Sequence, residues 1–254
     1  MIEYMDSQPH KKFRILLIGD ACIDTYVYGA VHRISPEAPV PVFEPTSEIT
    51  LGGMANNVSK NLKTLGCDVD FLHGQISKKT RLIDQRTKQH IVRIDQDAVS
   101  NPIEFDSEIP NVYDAIVVSD YNKGTVGYDL IEDLIKTQTV PIFIDTKKTD
   151  LARLNGCYIK INALEHSLIK TMPESKWLIV TRGDTGAEWN GWQSAASKVE
   201  ITDVTGAGDT FLAALCYQFL STQDMRQAIE FANRAAGITV QHLGVYAPTL
   251  EEIQ

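Results

Sequence analysis

The chain has 254 residues, of which 43% are hydrophobic and 22% charged, and its formal net charge is −9. That length suits one large α/β domain, and the composition is that of a globular chain rather than a disordered or fibrous one. The acidic balance argues against nucleic acid and anionic membranes as partners, and no apolar run approaches the ~20 residues of a membrane helix.

Residues 1–13 are polar and lack the apolar centre of a secretory signal. Residues 14–19 (RILLIG) then read as a buried strand. A helix is expected over 54–65, stopped by Gly66, followed by a strand over 68–72. Further apolar runs at 115–119, 141–145, 158–162 and 177–181 read as strands. Helical patterns lie at 127–136, 163–170, 206–220 and 225–242. Apolar strands alternating with helices predict a mostly parallel sheet covered on both faces, with ligands beyond the carboxyl ends of the strands. Two stretches break the rhythm. Residues 22–51 hold alternating segments at 25–29 and 40–44 among four prolines, and residues 81–95 alternate as well. They read as antiparallel strands of a small β-sheet subdomain inserted in one domain spanning 1–254.

Cys22, Cys67, Cys157 and Cys216 form no C-x-x-C pair. They read as buried free thiols in a reducing, cytoplasmic setting. The six histidines show no metal-binding spacing. Trp177, Trp189 and Trp192 read as core.

The segment Asp203-Val204-Thr205-Gly206-Ala207-Gly208-Asp209-Thr210-Phe211 carries the strongest chemical signal. A glycine-rich helix start leaves backbone N–H groups free, and with the helix dipole they form an anion site. Asp209 falls in the first helical turn, where a carboxylate beside a phosphate cradle suits phosphoryl transfer to an alcohol. A plain glycine turn with Asp209 as a dipole partner explains the spacing equally well. The segment is neither a Walker loop nor G-x-G-x-x-G.

D-V-T-G-A-G-D-T-F closely resembles the C-terminal signature of ribokinase-like (PfkB-type) carbohydrate kinases. The resemblance implies a Rossmann-like α/β core with a small β lid. It makes Asp209 the catalytic base and the amides of Gly206, Ala207 and Gly208 an anion hole. Gly19-Asp20, Asp24 and Gly52-Gly53-Met54-Ala55-Asn56-Asn57 resemble the family's sugar pocket. Asp24, Gly52, Gly53 and Asn57 are assigned to substrate by it, with Asn56 as the alternative; Met54 and Asn57 depart from the usual pattern. For Asp20 alone, a surface carboxylate is the favoured reading. Asn162-Ala163-Leu164-Glu165 matches the family's N-x-x-E element, implying Mg²⁺ held through water near ATP; a helix N-cap with a first-turn Glu fits the same spacing. Thr181, Arg182, Gly183 and Gly186 resemble the nucleotide loop, with Thr205, Gly208 and Asn233 as further nucleotide contacts. Asp203 and Thr205 would line a site for K⁺ if one exists.

A narrower resemblance, to kinases of D-glycero-D-manno-heptose 7-phosphate, rests on residues 33–42 (RISPEAPVPV), 119–124 (SDYNKG) and 145–147 (DTK). It adds Arg33, Asp120, Lys123 and Lys147 as substrate contacts, the cations for a sugar phosphate; solvated surface side chains are the commoner fate of such cations. The reaction implied is ATP-dependent phosphorylation of that sugar at C1. A PfkB-type kinase for another sugar or nucleoside is one alternative. A non-catalytic sugar-binding or regulatory protein on the same fold is another. The family's stretch after the second strand is shortened here to residues 73–80, implying a trimmed sheet edge. The resemblance also suggests a homodimer through the lid, and any adenylyl transfer is expected of a separate protein.

Overall fold

The computed structural model describes residues 12–104 and 109–253. The N-terminal stretch read above for a signal lies, as far as residue 11, outside the described residues. An eight-stranded sheet forms the centre. Its members are β1 (Arg14–Gly19), β4 (Asp68–His73), β7 (Ala115–Asp120), β8 (Ile142–Thr146), β9 (Tyr158–Asn162), β10 (Leu178–Thr181), β11 (Ala187–Trp189) and β12 (Trp192–Ser194). The order is β12-β11-β10-β9-β8-β7-β1-β4, parallel from β10 to β4 and antiparallel at β11 and β12.

Period-two alternation inside the apolar strands divides them between two cores. Ile15, Leu17, Val117 and Phe143 pack on one face against α1 (Ala55–Thr64), α4 (Ala207–Thr222) and α5 (Met225–Thr239). Leu16, Ile18, Val118 and Ile144 pack on the other against α2 (Tyr128–Thr137). Each such buried aliphatic side chain contributes ~1.5–3 kcal/mol. Two short helices, α3 (Ala163–Ser167) and α6 (Leu250–Ile253), complete the set.

A separate four-stranded sheet has the order β3-β2-β5-β6, from β2 (Ala21–Ile34), β3 (Pro41–Met54), β5 (Ser77–Asp84) and β6 (His90–Gln96). Its hairpin strands are 14 residues each, far longer than the alternating segments suggested. The prolines fall where a strand accepts them. Pro36 and Pro39 lie in the turn, Pro41 opens β3, and Pro45 sits opposite Gly29 at a register shift. β2 and β5 are parallel rather than antiparallel. They continue from β1 and β4, parallel neighbours in the main sheet that end at the same edge, so both enter the small sheet in one direction. Among the described residues β4 is the outer strand of the main sheet, and only residues 74–76 separate it from β5.

Candidate active site

Asp209 lies in the first turn of α4, a buried carboxylate gripped from two sides. Asn57 Nδ2, from α1, donates to Asp209 Oδ2 at 2.9 Å, and the Tyr121 hydroxyl donates to Oδ1 at 2.9 Å. Burial pushes the Asp209 carboxyl up to about 6, and the Asp145 carboxylate adds to that rise. The Asn57 and Tyr121 hydrogen bonds and the Lys160 ammonium oppose it. The group is therefore ionised at neutral pH yet basic for a carboxylate, as a general base requires.

Gly206, the N-cap of α4, adopts φ 81, the left-handed region that glycine enters without strain. A Cβ there would approach Asn57 Nδ2 to 2.7 Å. No side chain caps the helix, so first-turn amides beyond Ala207, whose N–H bonds Val204 O, are left for an outside acceptor. Next to Gly208 stands Lys160, whose Nζ would lie 2.8 Å from a Cβ at that position. Lys160 is buried on β9 and paired with Asp145 of β8 at 2.6 Å. A lysine in the strand run YIKIN was the available sign, because a charge inside a buried strand needs a partner or a ligand. Neither Lys160 nor Tyr121 was singled out from the sequence.

Asp24 is buried, with Arg81 Nη1 on its Oδ1 at 2.5 Å and the Cys22 thiol 3.5 Å from Oδ2. Gly53 is required beside it, since a Cβ would fall 2.0 Å from Asp24 Oδ2. A Cβ on Gly52 would collide with the Asn56 side chain. Asn56 Nδ2 is turned away, donating to the Cys22 carbonyl, so it is Asn57 that reaches Asp209. Asp20 is buried, and its Oδ2 accepts from the amides of Tyr121 and Lys123 while Oδ1 has no partner among the described residues. This corrects the reading of Asp20 as a surface group.

The cations and carboxylates of the narrower resemblance are more dispersed. The Asp120 carboxylate is spent internally on Thr146 Oγ1, Lys148 Nζ and the Asn122 amide. With those partners it holds the β7 turn together and is not turned to a ligand. Lys123 Nζ pairs with Asp97 at 2.6 Å, and Lys147 Nζ pairs with Glu165. Arg33 is exposed near the end of β2, nine residues past Asp24, or about 30 Å along an extended strand. It therefore does not join the group around Asp24 and Asp209 within one chain.

A cavity of about 750 Å³ opens beside the start of α4, lined by Thr181, Gly183, Gly186, Gly208, Phe211 and Asn233 among others. Its size and largely apolar wall suit a small organic ligand. Gly186 has φ 98, and a Cβ there would strike Ser194 O at 1.9 Å. Arg182 is tied to Glu188, and Asn233 Nδ2 donates to Ser194 Oγ and O. Asn162 and Glu165 form a complete capping box on α3: Glu165 N donates to Asn162 Oδ1, and Glu165 Oε2 accepts from Asn162 N. The Asp203 carboxylate, which burial alone would raise, is held below its ordinary range by hydrogen bonds from Thr205 Oγ1, Thr205 N and Gly244 N.

Residues 129–252 match the model of the pfkB family of carbohydrate kinases. The bifunctional protein HldE of Nitratiruptor sp. is 33% identical, aligned over 96% of this chain, and that of Aliarcobacter butzleri is 31% identical over the same share. The chain spans 64% of the length of these relatives. The alignment with the Nitratiruptor protein runs over 303 positions, so that relative carries residues inside the matched region that this chain lacks. Among solved structures, phosphofructokinase-2 of Escherichia coli in complex with potassium superposes with a TM-score of 0.72 at 14% identity, covering 95% of this chain and 97% of that one. Arabidopsis thaliana ribokinase complexed with ribose and ATP gives 0.67 at 14% identity, covering 95% and 97%. The glycine-started helix bearing Asp209 thus lies within the segment that matches the pfkB family of carbohydrate kinases, and the central sheet and the separate small sheet belong to a fold shared with these solved structures.

Proposed function

We propose that the chain transfers the γ-phosphoryl group of ATP to a sugar hydroxyl, with Asp209 as the base. One observation carries this reading: a buried carboxylate stands in the first turn of an uncapped helix whose Ala207, Gly208 and Phe211 line a cavity large enough for a nucleotide. The sugar oxygen attacks the γ-phosphorus, the bond from that phosphorus to the β–γ bridging oxygen breaks, ADP departs, and the hydroxyl proton passes to Asp209. The amides of Gly206 and Gly208 and the Lys160 ammonium would meet the charge of the migrating group, while the Ala207 amide is already bonded to Val204 O. ATP would lie along Thr181–Gly186 with its base toward Asn233, and the sugar between Asp24, Gly53 and Asn57.

Mg²⁺ would supply neutralisation of the β- and γ-phosphate charge. Both Glu165 oxygens already have partners, and among the described residues no group of three His, Cys, Asp or Glu side chains gathers. That donor set fits an ion carried on the phosphates and held through water by Glu165, not a resident ion. The Asp203 carboxylate, with three hydrogen bonds already accepted, does not fit as the main support of a K⁺ site.

For the acceptor we favour D-glycero-D-manno-heptose 7-phosphate, phosphorylated at C1. The HldE relatives support this choice. So does Lys79, in register with Asp24 across β2 and β5 and without an ion pair among the described residues. Against Mg-ATP and a panel of sugars and sugar phosphates, ADP release should be fastest with the heptose phosphate. Turnover of no sugar would remove the kinase reading. Faster turnover of an unphosphorylated sugar would remove only the heptose.

A second copy of the chain is the proposed partner of the small sheet. Val27, Leu82, Val92 and Ile94 lie on one face of it, the first three in register across β2, β5 and β6. Val92 and Ile94 are 44% and 48% exposed. Sedimentation should give a dimer that Val92→Lys dissociates. The four free, buried thiols fit the proposed cytoplasmic setting.

A further inference from the structure

We propose that Tyr121 is a positioning residue for the phosphoryl transfer: its hydroxyl fixes the orientation of the Asp209 carboxylate, and the loop carrying it is built for that purpose. The inference rests on Asp209 being the base.

The geometry is a two-point clamp. Tyr121 donates to Oδ1 and Asn57 Nδ2 to Oδ2, each at 2.9 Å. With one neutral donor per oxygen, the carboxylate cannot rotate about its Cβ–Cγ bond without losing both. Each oxygen keeps a lone pair for the incoming sugar hydroxyl.

In the loop after β7, Asn122 sits at φ 57 and Gly124 at φ 101. Asparagine enters the first more readily than other residues with a Cβ, at some cost, and the surroundings hold it there. Two buried carboxylates do so. Asp20 Oδ2 accepts from the Tyr121 and Lys123 amides at 2.8 and 3.1 Å, and Asp120 Oδ1 accepts from the Asn122 amide at 2.9 Å. A Cβ on Gly124 would lie 2.1 Å from Ser100 O, so the loop is packed closely from behind. Asp20, Asp120 and the strained turn hold the residue whose side chain meets the base.

The charges around the clamp agree with this role. Asp145 of β8 and Lys160 of β9 face Asp209 as a pair of opposite sign. The Cys22 thiol of β2, pushed by burial up to about 12, is neutral. Burial holds the Tyr121 phenol well above its ordinary range, so it stays a protonated donor. Lys147 Nζ lies 5.5 Å from the centre of the Tyr121 ring. Tyr121 and Asn57 thus supply the neutral donors that favour the ionised Asp209, while burial opposes it.

The test is the pH profile of kcat/KM for wild type, Tyr121→Phe and a chain with 3-fluorotyrosine at position 121. Tyr121→Phe keeps the ring and deletes the donor. Its acid limb should move to higher pH, with kcat lowered roughly tenfold and KM for ATP within about twofold of wild type. The fluorinated phenol is a stronger donor and should move the limb the other way, which a packing role would not do. An acid limb unmoved in both variants overturns the proposal. If no sugar is turned over by wild type, the base reading has failed separately, and carbon-13 NMR titration of Asp209 in the same proteins still decides the clamp. The midpoint should rise in Tyr121→Phe, and an unchanged midpoint overturns the proposal. If Tyr121→Phe fails to fold, the fluorinated chain carries the test by itself.

Discussion

A buried carboxyl held at about 6, against an ordinary 3.8, weakens the fold whenever it is ionised. The folded state binds the proton more tightly than the unfolded chain, so stability falls as pH rises from ~4 to ~6, and the full cost of roughly 3 kcal/mol applies above that window. Asp209→Asn removes the charge. The variant should be about 2–3 kcal/mol more stable than wild type at pH 8, with the gain gone at pH 4; urea unfolding at the two pH values checks it. Wild-type activity should fall on the acid side of pH 6 as the base protonates. Lys160 makes a second prediction. Lys160→Met strands Asp145 as an unpaired buried carboxylate and should cost about 3–5 kcal/mol, which thermal unfolding would register. Gly186→Ala places a Cβ against Ser194 O at a residue with φ 98. It should weaken nucleotide binding by about tenfold or more in a calorimetric titration, since the loop must shift by more than an ångström. At this scale the motifs single out Asp209, Asp24 and Asn57, and the structure buries all three, with Asn57 bonded to Asp209. Tyr121 stayed hidden because its role depends on a loop shape made by Asp20 and Asp120, residues 101 and one position away.

At the scale of elements, continuous apolar runs located β1, β7, β8 and β9 to within a residue or so, because a strand buried on both faces has little choice of side chain. Helix α1 began and ended near Met54 and Gly66 for equally local reasons. The β11–β12 hairpin was missed, although Asn190-Gly191 between Trp189 and Trp192 is a strong hairpin signal. Both turn residues take positive φ, 47 and 76, as the tight turn demands. The strands β2 and β3 run 14 residues each, longer than the alternating segments between the four prolines. Pairing tolerates them, since prolines at a strand start, a turn and a register shift remove no ladder bond. The N-x-x-E element is a capping box by geometry, so the motif's local role is fixed by α3 whatever its distant role. Glu165→Gln keeps an acceptor for the Asn162 amide but loses the charge. It should leave thermal stability within ~0.5–1 kcal/mol of wild type, while the Mg²⁺ concentration giving half-maximal activity rises severalfold.

For the whole molecule, strand alternation with helices announced the parallel core, and the break in that rhythm announced the small sheet. Its direction could not be read. The parallel pairing of β2 with β5 follows from β1 and β4 lying side by side, a fact of the assembled sheet and not of either segment. The same geometry brings Asp24 and Arg81 from the small sheet towards the site that holds Asp209, and it carries Arg33 to the far end of the hairpin. Residues that match the narrower family pattern along the chain are therefore separated in space, and Lys79, outside that pattern, stands in register with Asp24. The most direct measurement of the account is ADP release with Mg-ATP and D-glycero-D-manno-heptose 7-phosphate, compared between wild type and Asp209→Asn at pH 8. Wild type should turn over, and the variant, folded and more stable, should lose about a thousandfold or more in kcat. An Asp209→Asn chain that keeps the wild-type rate would contradict the assignment of the base.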